Sequence, residues 1–386
     1  MKIAVVTGTR ADYGLLAPIM RAIDKSDSLT LQLIVTGTHL LPEFGLTRRE
    51  IVSDGFIIAR EIRELSSAGS SFDVALQVGA GTSSFARVLS EIQPSAVLLL
   101  GDRYEVFAAA TAAFFLKIPI FHLHGGEITA GAIDDGIRHA ISQFAHVHAV
   151  AAPDYARRLV RAGAHPDSVH VVGGLGVDVI GRTDLLSPEE IEAELGFRIS
   201  GKLFAVTYHP VTAGDHNAGA EIDSLLEALA FFPDATVVFT MPNADPEHAI
   251  IAAKLQKAAF ERPKWHFFAS LGSKNYISLL ASASAVVGNS SSGLLEAPTL
   301  GIPTVNIGPR QDGRLLAPSV ISCAADSVQI REALDKVLSH DFIASISDTP
   351  SPYGEPGAAK KILSLLEGID FDTLGPRRYY EGPNNF

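Results

Sequence analysis

Cysteine is almost absent from this chain of 386 residues, because Cys323 is its only one. A single thiol excludes an intramolecular disulfide and a cysteine-rich metal site, and it favours a reducing compartment. Charged residues make up only 19% of the chain, and the formal net charge is -12. A field of that sign disfavours nucleic acid and anionic membranes as the main partners, since both are polyanions.

Long apolar runs are also missing. No stretch approaches the roughly 20 apolar residues that a membrane helix needs, and the run at the start, Ile3 to Thr7, is too short for the core of a signal peptide. We therefore expect no membrane partner and a cytoplasmic protein. Hydrophobic residues still amount to 47% of the chain, which allows large cores, and the length favours two domains over one.

Short apolar runs recur along the chain with helical segments between them. Their residues are apolar at consecutive positions, which is typical of parallel strands covered by helices on both faces. The pattern predicts an α/β fold with two doubly wound Rossmann-like domains facing across a cleft. The predicted strands are 3–7, 31–36, 96–100, 118–123 and 169–172, then 203–208, 236–241, 265–268, 285–288, 304–307 and 320–323.

The boundary between the domains is placed at a hinge near residues 177–183. The predicted domains are 1–177 and 178–365, followed by a tail over 366–386. Ser187-Pro188-Glu189-Glu190 predicts the start of a helix that connects the two sheets, with proline at the first helical position. Ligands of open α/β sheets bind at the carboxyl ends of the strands, so polar residues that follow a strand are the candidates for function.

The first such residues follow the first strand. Gly8-Thr9-Arg10 opens a helix but lacks the full Gly-x-Gly-x-x-Gly spacing, which disfavours a bound dinucleotide. Arg10 is interpreted as a contact to a phosphate or base, or as a surface arginine at a helix start. Asp102 follows a later strand, where an acidic residue serves as a general base or caps the next helix.

A denser group follows the strand at 118–123. His122, His124 and Glu127 are residue types that zinc or manganese accepts, but alternate residues of a strand point to opposite faces, so we predict no metal. On the next predicted helix, a spacing of four pairs two acids with two bases, which is also the pattern of surface salt bridges. These pairs are Asp134 with Arg138 and Asp135 with His139.

In the second half, the stretch Ala285 to Gly293 runs from a strand through Asn-Ser-Ser-Ser-Gly into a helix. Free N–H groups and the positive end of a helix dipole bind a diphosphate without a metal. His209 suits proton transfer or a structural hydrogen bond. The remaining candidates for ribose, sugar or phosphate are Asn243, Asp245, Ser290, Ser291, Ser292, Gly293, Glu296, Arg310 and Arg314.

Seven motifs, taken in order, resemble the hydrolysing UDP-N-acetylglucosamine 2-epimerases of sialic-acid-type sugar biosynthesis. The likeness covers roughly the first 310 residues or more. The motifs are Gly-Thr-Arg-Ala-Asp-Tyr-Gly, Gly-Asp-Arg, His-Gly-Gly-Glu, Ile-Asp-Asp-Gly-Ile-Arg-His-Ala, His-Pro-Val-Thr, Met-Pro-Asn-Ala-Asp and Gly-Asn-Ser-Ser-Ser-Gly-Leu-Leu-Glu.

The resemblance implies a GT-B architecture whose C-terminal helix returns to the first domain, and it implies a reaction. UDP leaves carbon 1 by elimination across carbons 1 and 2, which gives a 2-acetamidoglycal. Water then adds with inversion at carbon 2 and releases N-acetylmannosamine and UDP. We expect no cofactor, and a homo-oligomer, either a dimer or a tetramer.

The resemblance also implies roles for individual residues. Asp102 and Asp134 would be acid/base carboxylates, and His209 would lie by the diphosphate and sugar. Several relatives carry, at the position of His124, a Glu that is a proposed catalytic acid/base. Either Glu127 takes over that acid/base role, or His124 transfers the proton itself, or the substrate differs. The implied substrate-binding residues are Arg10, Arg103, Asp135, Arg138, His139, Asn243, Ser290, Ser291, Glu296 and Arg310.

The sequence does not identify the sugar or the nucleotide of the substrate. Bacterial relatives with His-Gly-Gly-Glu include enzymes that act on a 2,4-diacetamido-trideoxy sugar or on a GDP-linked donor such as GDP-N-acetylglucosamine, in legionaminic-type pathways. Two other functions share the predicted fold and serine loop: a GT-B glycosyltransferase and a non-catalytic nucleotide-sugar sensor.

Overall fold

The computed structural model describes residues 1–65, 70–130, 132–181, 183–212, 216–243, 245–347 and 349–382. The chain forms two compact units. Unit 1 comprises Met1–Glu127, Asp134–Val179 and Tyr353–Phe386, and unit 2 comprises Ile128–Ile133 and Ile180–Pro352. Among the described helices, none has the length and apolar character needed to cross a membrane.

Unit 1 alternates strands and helices. Its strands are β1 (Lys2–Thr7), β2 (Thr30–Val35), β3 (Ile58–Glu61), β4 (Ala96–Leu100), β5 (Ile120–Leu123), β6 (Val147–Val150) and β7 (Val169–Val171). Its helices are α1 (Arg10–Asp24), α2 (Arg48–Ser53), α3 (Ser71–Ile92), α4 (Tyr104–Phe115), α5 (Asp134–Phe144), α6 (Pro153–Arg161), α7 (Leu175–Ile180), whose last residue lies in unit 2, and α15 (Ala358–Gly368).

The strands of unit 1 form a parallel sheet in the order β3-β2-β1-β4-β5-β6-β7. Successive residues of β1 enter different cores: Ile3 and Val5 pack with α1 and α15 on one face, and Ala4 and Val6 pack with α3 and α4 on the other. Burial on both faces is the reason that the strand sequences read as continuous apolar runs.

Unit 2 repeats this architecture with a different sequence. Its strands are β8 (Leu203–Thr207), β9 (Thr236–Thr240), β10 (Trp265–Phe268), β11 (Ala285–Gly288), β12 (Thr304–Ile307) and β13 (Val320–Cys323), in the parallel order β10-β9-β8-β11-β12-β13. Its helices are α8 (Pro188–Leu195), α9 (Ala218–Ala230), α10 (His248–Glu261), α11 (Ser273–Ser282), α12 (Ser292–Thr299), α13 (Ser327–Val337) and α14 (His340–Ile346).

The units divide the chain differently from the predicted domains. Residues 353–365, which the sequence places in the second domain, belong to unit 1, because α15 buries Ile362 and Leu366 in the core that α1 lines. The buried carboxylate of Asp178 holds the start of α15 by accepting hydrogen bonds from the N–H groups of Gly357 and Ala359 at 2.5 and 3.1 Å. Arg182 of the predicted hinge and residues 383–386 of the predicted tail lie outside the described residues.

Two strands of unit 1 were missed by the sequence pattern. β3 (Ile58–Glu61) is an edge strand with two charged residues among four, and β6 (Val147–Val150) carries His148 in the middle of a short run. The predicted helix start at Ser187 is confirmed: its hydroxyl accepts from the N–H of Glu190, and the Glu190 carboxylate accepts from the N–H of Ser187.

Two glycines of α3 provide a test of this packing. A Cβ added to Gly81 would lie 2.7 Å from Cδ1 of the buried Leu65, whereas one added to Gly79 would meet nothing within 4 Å. We expect Gly81→Ala to lower the free energy of unfolding by about 1–3 kcal/mol through overpacking. Gly79→Ala should raise it by about 0.4–1 kcal/mol through the lower entropy of the unfolded chain. Thermal unfolding of both variants checks this, and equal shifts would contradict it.

Candidate functional site

The carboxyl edge of the unit 1 sheet begins with the loop after β1, beside the point where the strand order reverses between β1 and β4. The carboxylate of Asp12 accepts hydrogen bonds from the N–H groups of Gly8 and Thr9 at 3.0 and 3.1 Å, which holds this loop. Arg10 opens α1. Burial raises the pKa of Glu50, and the charge of Arg10 opposes that rise.

The loop after β4 carries Asp102, which pairs with a buried arginine. Nη2 of Arg138, on α5, donates to Oδ2 of Asp102, and Nη1 lies 3.7 Å from Oδ1 of Asp135. Arg138 is only 1% exposed, so its charge needs these carboxylates. His139 Nε2 lies 3.7 Å from Oδ2 of Asp135, at the predicted spacing of four. Burial lowers the pKa of His139, and Asp135 opposes this shift.

A buried carboxylate that the sequence analysis did not single out lies beside this loop. Oε2 of Glu105 is 3.3 Å from Nε of Arg103, whose guanidinium lies 5.1 Å from the centre of the Tyr104 ring. Glu105 packs against two glycines, because a Cβ on Gly8 or Gly37 would approach its side chain to 3.5 or 3.2 Å. The only signal in the sequence was its place in the Gly-Asp-Arg-Tyr-Glu segment.

His122, at the end of β5, ties the β4 loop to α5. Its Nε2 lies 2.7 Å from the carbonyl oxygen of Gly101, and its Nδ1 lies 3.1 Å from Oγ of Ser142. A carbonyl only accepts, so Nε2 carries the proton and Nδ1 accepts from the hydroxyl. Burial lowers the pKa of His122 to about 4, so the ring is neutral.

His124 contacts different groups from His122. Its Nδ1 lies 2.7 Å from Oε1 of Glu127, and its Nε2 accepts the N–H of Leu175 at 3.3 Å. Glu127 is 1% exposed, and Asp134, the first residue of α5, is also buried. In the described parts of the chain, no three His, Cys, Asp or Glu side chains are grouped as ligands for a metal ion.

In unit 2 the strand order reverses between β8 and β11, and one amide links the loops after these strands. Oδ1 of Asn289 accepts the N–H of His209 at 2.7 Å, and its Nδ2 donates to the His209 carbonyl at 2.8 Å. The N–H of Asn243, after β9, donates to Nδ1 of His209 at 3.0 Å, which places any proton of the neutral ring on Nε2. Asn289 is thus a residue of the site that sequence reasoning passed over, although it stands beside the three serines.

The serine loop leads from β11 into α12. Oγ of Ser292 lies 3.0 Å from Oγ of Ser290 and 2.6 Å from the hydroxyl of Tyr276. A Cβ on Gly293 would lie 2.7 Å from Cγ2 of Thr304, so glycine lets α12 pack closely on β12. Ser291 precedes the helix, and Glu296 is buried within it.

The loop after β12 completes this edge of unit 2. Nε2 of Gln311 and Nη1 of Arg310 donate to the carbonyl of Asn289 at 2.7 and 3.4 Å. Arg314 follows this short turn, and its N–H donates to the Gln311 carbonyl at 3.2 Å. Asp245 is buried in the segment after β9. The candidates predicted in the second half therefore follow four neighbouring strands of one sheet.

Two doubly wound parallel sheets, each with polar side chains after its strands, define a two-unit α/β protein. The UDP-GlcNAc 2-epimerase of Neisseria meningitidis bound to UDP-GlcNAc superposes with a TM-score of 0.81 at 20% identity, over 96% of this chain and all of that one (100%). The fold is therefore GT-B-like. A profile of the UDP-N-acetylglucosamine 2-epimerase family matches residues 21–367. The chain belongs to this family, so the predicted fold class and family are confirmed.

Two relatives are similar over most of their length. The GDP/UDP-N,N'-diacetylbacillosamine 2-epimerase (hydrolyzing) of Campylobacter jejuni is 35% identical over 375 residues, which cover 97% of each chain. The UDP-N,N'-diacetylbacillosamine 2-epimerase (hydrolyzing) of Legionella pneumophila is 35% identical over 87% of this chain and 89% of its own.

The buried histidines predict how stability depends on pH. Burial lowers the pKa of His122 to about 4 and that of His148, its neighbour on β6, to about 3, against about 6.5 in an unfolded chain. Above pH 6.5 both states are neutral; as the pH falls below about 6.5, the unfolded chain binds protons that the folded chain does not, and stability is lost. We expect His148→Leu to reduce the drop in Tm between pH 7.5 and pH 5.

The matched control for this measurement is His165→Leu, because the His165 side chain is 57% exposed. It should leave the drop in Tm unchanged. A drop for His148→Leu as large as that of the unmodified protein would show that His148 is not the group responsible.

Proposed function

We propose that this protein is a hydrolysing nucleotide-sugar 2-epimerase. A base removes the proton on carbon 2, the bond from carbon 1 to the diphosphate oxygen breaks, and UDP leaves with that electron pair. Water then adds across the glycal, with hydroxyl to carbon 1 and a proton to the opposite face of carbon 2. The observation that carries the proposal is the set of buried and partly buried carboxylates after β4 and β5 in a chain of this family. No redox cofactor enters, because the sequence of steps is redox-neutral.

The proposed proton transfers use carboxylates of unit 1. Asp102 follows β4, Glu127 follows β5 and Asp134 begins α5. Glu127 and Asp134 are buried, and the Asp102 side chain is 20% exposed. Carboxylates in such surroundings act as general acids or bases when they reach the reacting atom. Arg138 and His139 are proposed to position the sugar, and Arg10 and Arg103 to contact the substrate.

The proposed nucleotide contacts come from unit 2. The serine loop and the start of α12 offer hydroxyl and N–H donors for a diphosphate, and Arg310 and Arg314 add positive charge. Glu296 is proposed to bind the ribose, with Asn243 and Asp245 near it and His209 beside the leaving group. These roles rest on the family motifs and on the placement of each side chain after its strand.

The donor sugar has two candidates. The sequence motifs favour UDP-N-acetylglucosamine, with N-acetylmannosamine as product. The two relatives that are 35% identical favour a UDP- or GDP-linked 2,4-diacetamido-2,4,6-trideoxy sugar, since their names specify N,N'-diacetylbacillosamine donors. We further propose a cytoplasmic homo-oligomer, a dimer or a tetramer, on the family resemblance alone.

The reaction is tested by incubating the protein in heavy water with UDP-N-acetylglucosamine, its GDP analogue and the UDP-linked diacetamido sugar. Proton NMR should show free sugar with deuterium at carbon 2, because solvent supplies the proton in the hydration step. The donor with the highest kcat/KM identifies the sugar. Product that forms only with an added acceptor, and that carries no deuterium at carbon 2, would indicate a glycosyltransferase. Binding of the donor without turnover would indicate a sensor.

Two variants separate the proposed roles. Asp102→Asn should lower kcat by about 10²–10⁴-fold while the Kd for UDP stays within a few-fold, because Asp102 is proposed to act on the sugar. Ser291→Ala should do the reverse and weaken UDP binding most. Steady-state kinetics and calorimetry with UDP measure both effects. A lower Tm is expected in Asp102→Asn, because Arg138 loses a charged partner. If the variant also loses UDP affinity, Asp102 serves the structure and not the sugar.

A further inference from the structure

His124 combines an uncommon backbone conformation with a ring whose two nitrogens both have partners. It follows β5 with φ of 61°, a left-handed conformation that is uncommon for residues other than glycine, although Asn, Asp and His adopt it more often than the rest. Such a backbone costs about 1–2 kcal/mol for an ordinary side chain. Glycine would adopt it without strain, so the imidazole contributes something that the backbone turn does not need.

Both ring nitrogens of His124 are used within unit 1. Nε2 accepts a hydrogen bond from the N–H of Leu175, at the start of α7, at 3.3 Å. Because a backbone N–H only donates, Nε2 carries no proton and the neutral ring has its proton on Nδ1. That proton points at Oε1 of Glu127, 2.7 Å from Nδ1. The Leu175 N–H therefore selects the tautomer in which His124 donates to Glu127.

The donated hydrogen bond has a chemical consequence for Glu127. This side chain is 1% exposed, and an ionised carboxylate in such a place is stabilised only by charges and donors around it. A donor directed at one carboxylate oxygen favours the ionised form over the protonated form. It also fixes the rotation of the carboxylate, which an acceptor of a carbon-bound proton requires.

We propose that His124 is a positioning residue that keeps Glu127 ionised and oriented as the base of the epimerase reaction, and that His124 itself transfers no proton to the sugar. This inference rests on the proposed function. It resolves the alternatives for the proton transfer in favour of Glu127, and it gives Leu175 and α7 an indirect part in the reaction.

Two substitutions of His124 fit the left-handed backbone and differ in one hydrogen bond. Asparagine tolerates this conformation, and its amide places an N–H near the position of Nδ1, so His124→Asn keeps a donor for Glu127 but does not reach Leu175. His124→Gly removes both contacts without backbone strain. The control is Lys117→Gly, because Lys117 has a similar φ of 58° and ends the turn after α4.

The experiment measures kcat, KM, the pH profile of kcat and Tm for these variants on the best donor. We expect His124→Gly to lower kcat by about 10²-fold with KM within about threefold, and to move the acidic limb of the profile to higher pH by about one unit. His124→Asn should recover kcat to within about tenfold of the unmodified enzyme. Glu127→Gln alone and combined with His124→Gly should be equally slow, since the two residues act as a unit.

Several results would overturn the inference. An unchanged kcat and pH profile for His124→Gly, or His124→Asn as slow as His124→Gly at equal Tm, would show that the donor to Glu127 has no role in turnover. If His124→Gly does not fold, the comparison of His124→Asn with the unmodified enzyme decides, and loss of activity in it contradicts the inference.

A readout that needs no activity separates this inference from the proposed function. ¹⁵N NMR of the histidine-labelled protein near pH 8 should show His124 protonated on Nδ1 and unprotonated on Nε2. The opposite tautomer would overturn the inference even in an active enzyme. An unmodified protein that turns over no donor, yet shows the expected tautomer, would contradict the proposed function alone.

Discussion

A buried guanidinium must be neutralised where it lies, and this requirement organises the carboxyl edge of the unit 1 sheet. Arg138 cannot reach water, so it is stable only beside carboxylates. Asp102 meets that need from the loop after β4, and Asp135 meets it from α5 itself. His122 joins the same loop to the same helix through Gly101 and Ser142. The position of Asp102 therefore depends on its ion pair with Arg138 and on the hydrogen bonds of the neutral His122 ring. If one of these two connections is lost, the other still joins the loop to α5.

In unit 2, side-chain amides hold the loops that follow the strands. The side chain of Asn289 holds the backbone of His209 through two hydrogen bonds, and the carbonyl of Asn289 receives the side chains of Gln311 and Arg310. An amide anchor satisfies buried backbone groups without adding negative charge, so the serine loop beside it stays suited to an anionic ligand. The two edges thus use different chemistry to reach the same end, which is a set of loops that are ordered by buried hydrogen bonds.

Much of the fold could be predicted from local pattern. Strands buried on both faces read as apolar runs, and nearly all of them were found, including every strand of unit 2 described here. β3 was missed because an edge strand needs few apolar residues, and β6 because a buried histidine interrupts it. The return of the C-terminal helix to the first domain came only from the family resemblance, because the apolar stripe of α15 fits any core. Contact with α1 and Asp178 assigns α15 to unit 1.

The sequence by itself determined the α/β alternation, the positions of polar residues after strands, and the family, because each of these follows from periodicity or from short motifs. Only the tertiary structure decided which side chains and backbone groups pair with one another. Asp102 and Arg138 are 36 residues apart, and His124 and the N–H that sets its tautomer are 51 apart. Burial and hydrogen bonds of this kind depend on which distant segments meet, and a local pattern carries no information about that meeting. For the same reason Glu105 and Asn289, ordinary polar residues in the sequence, became supports of the site only once the loops around them were in place.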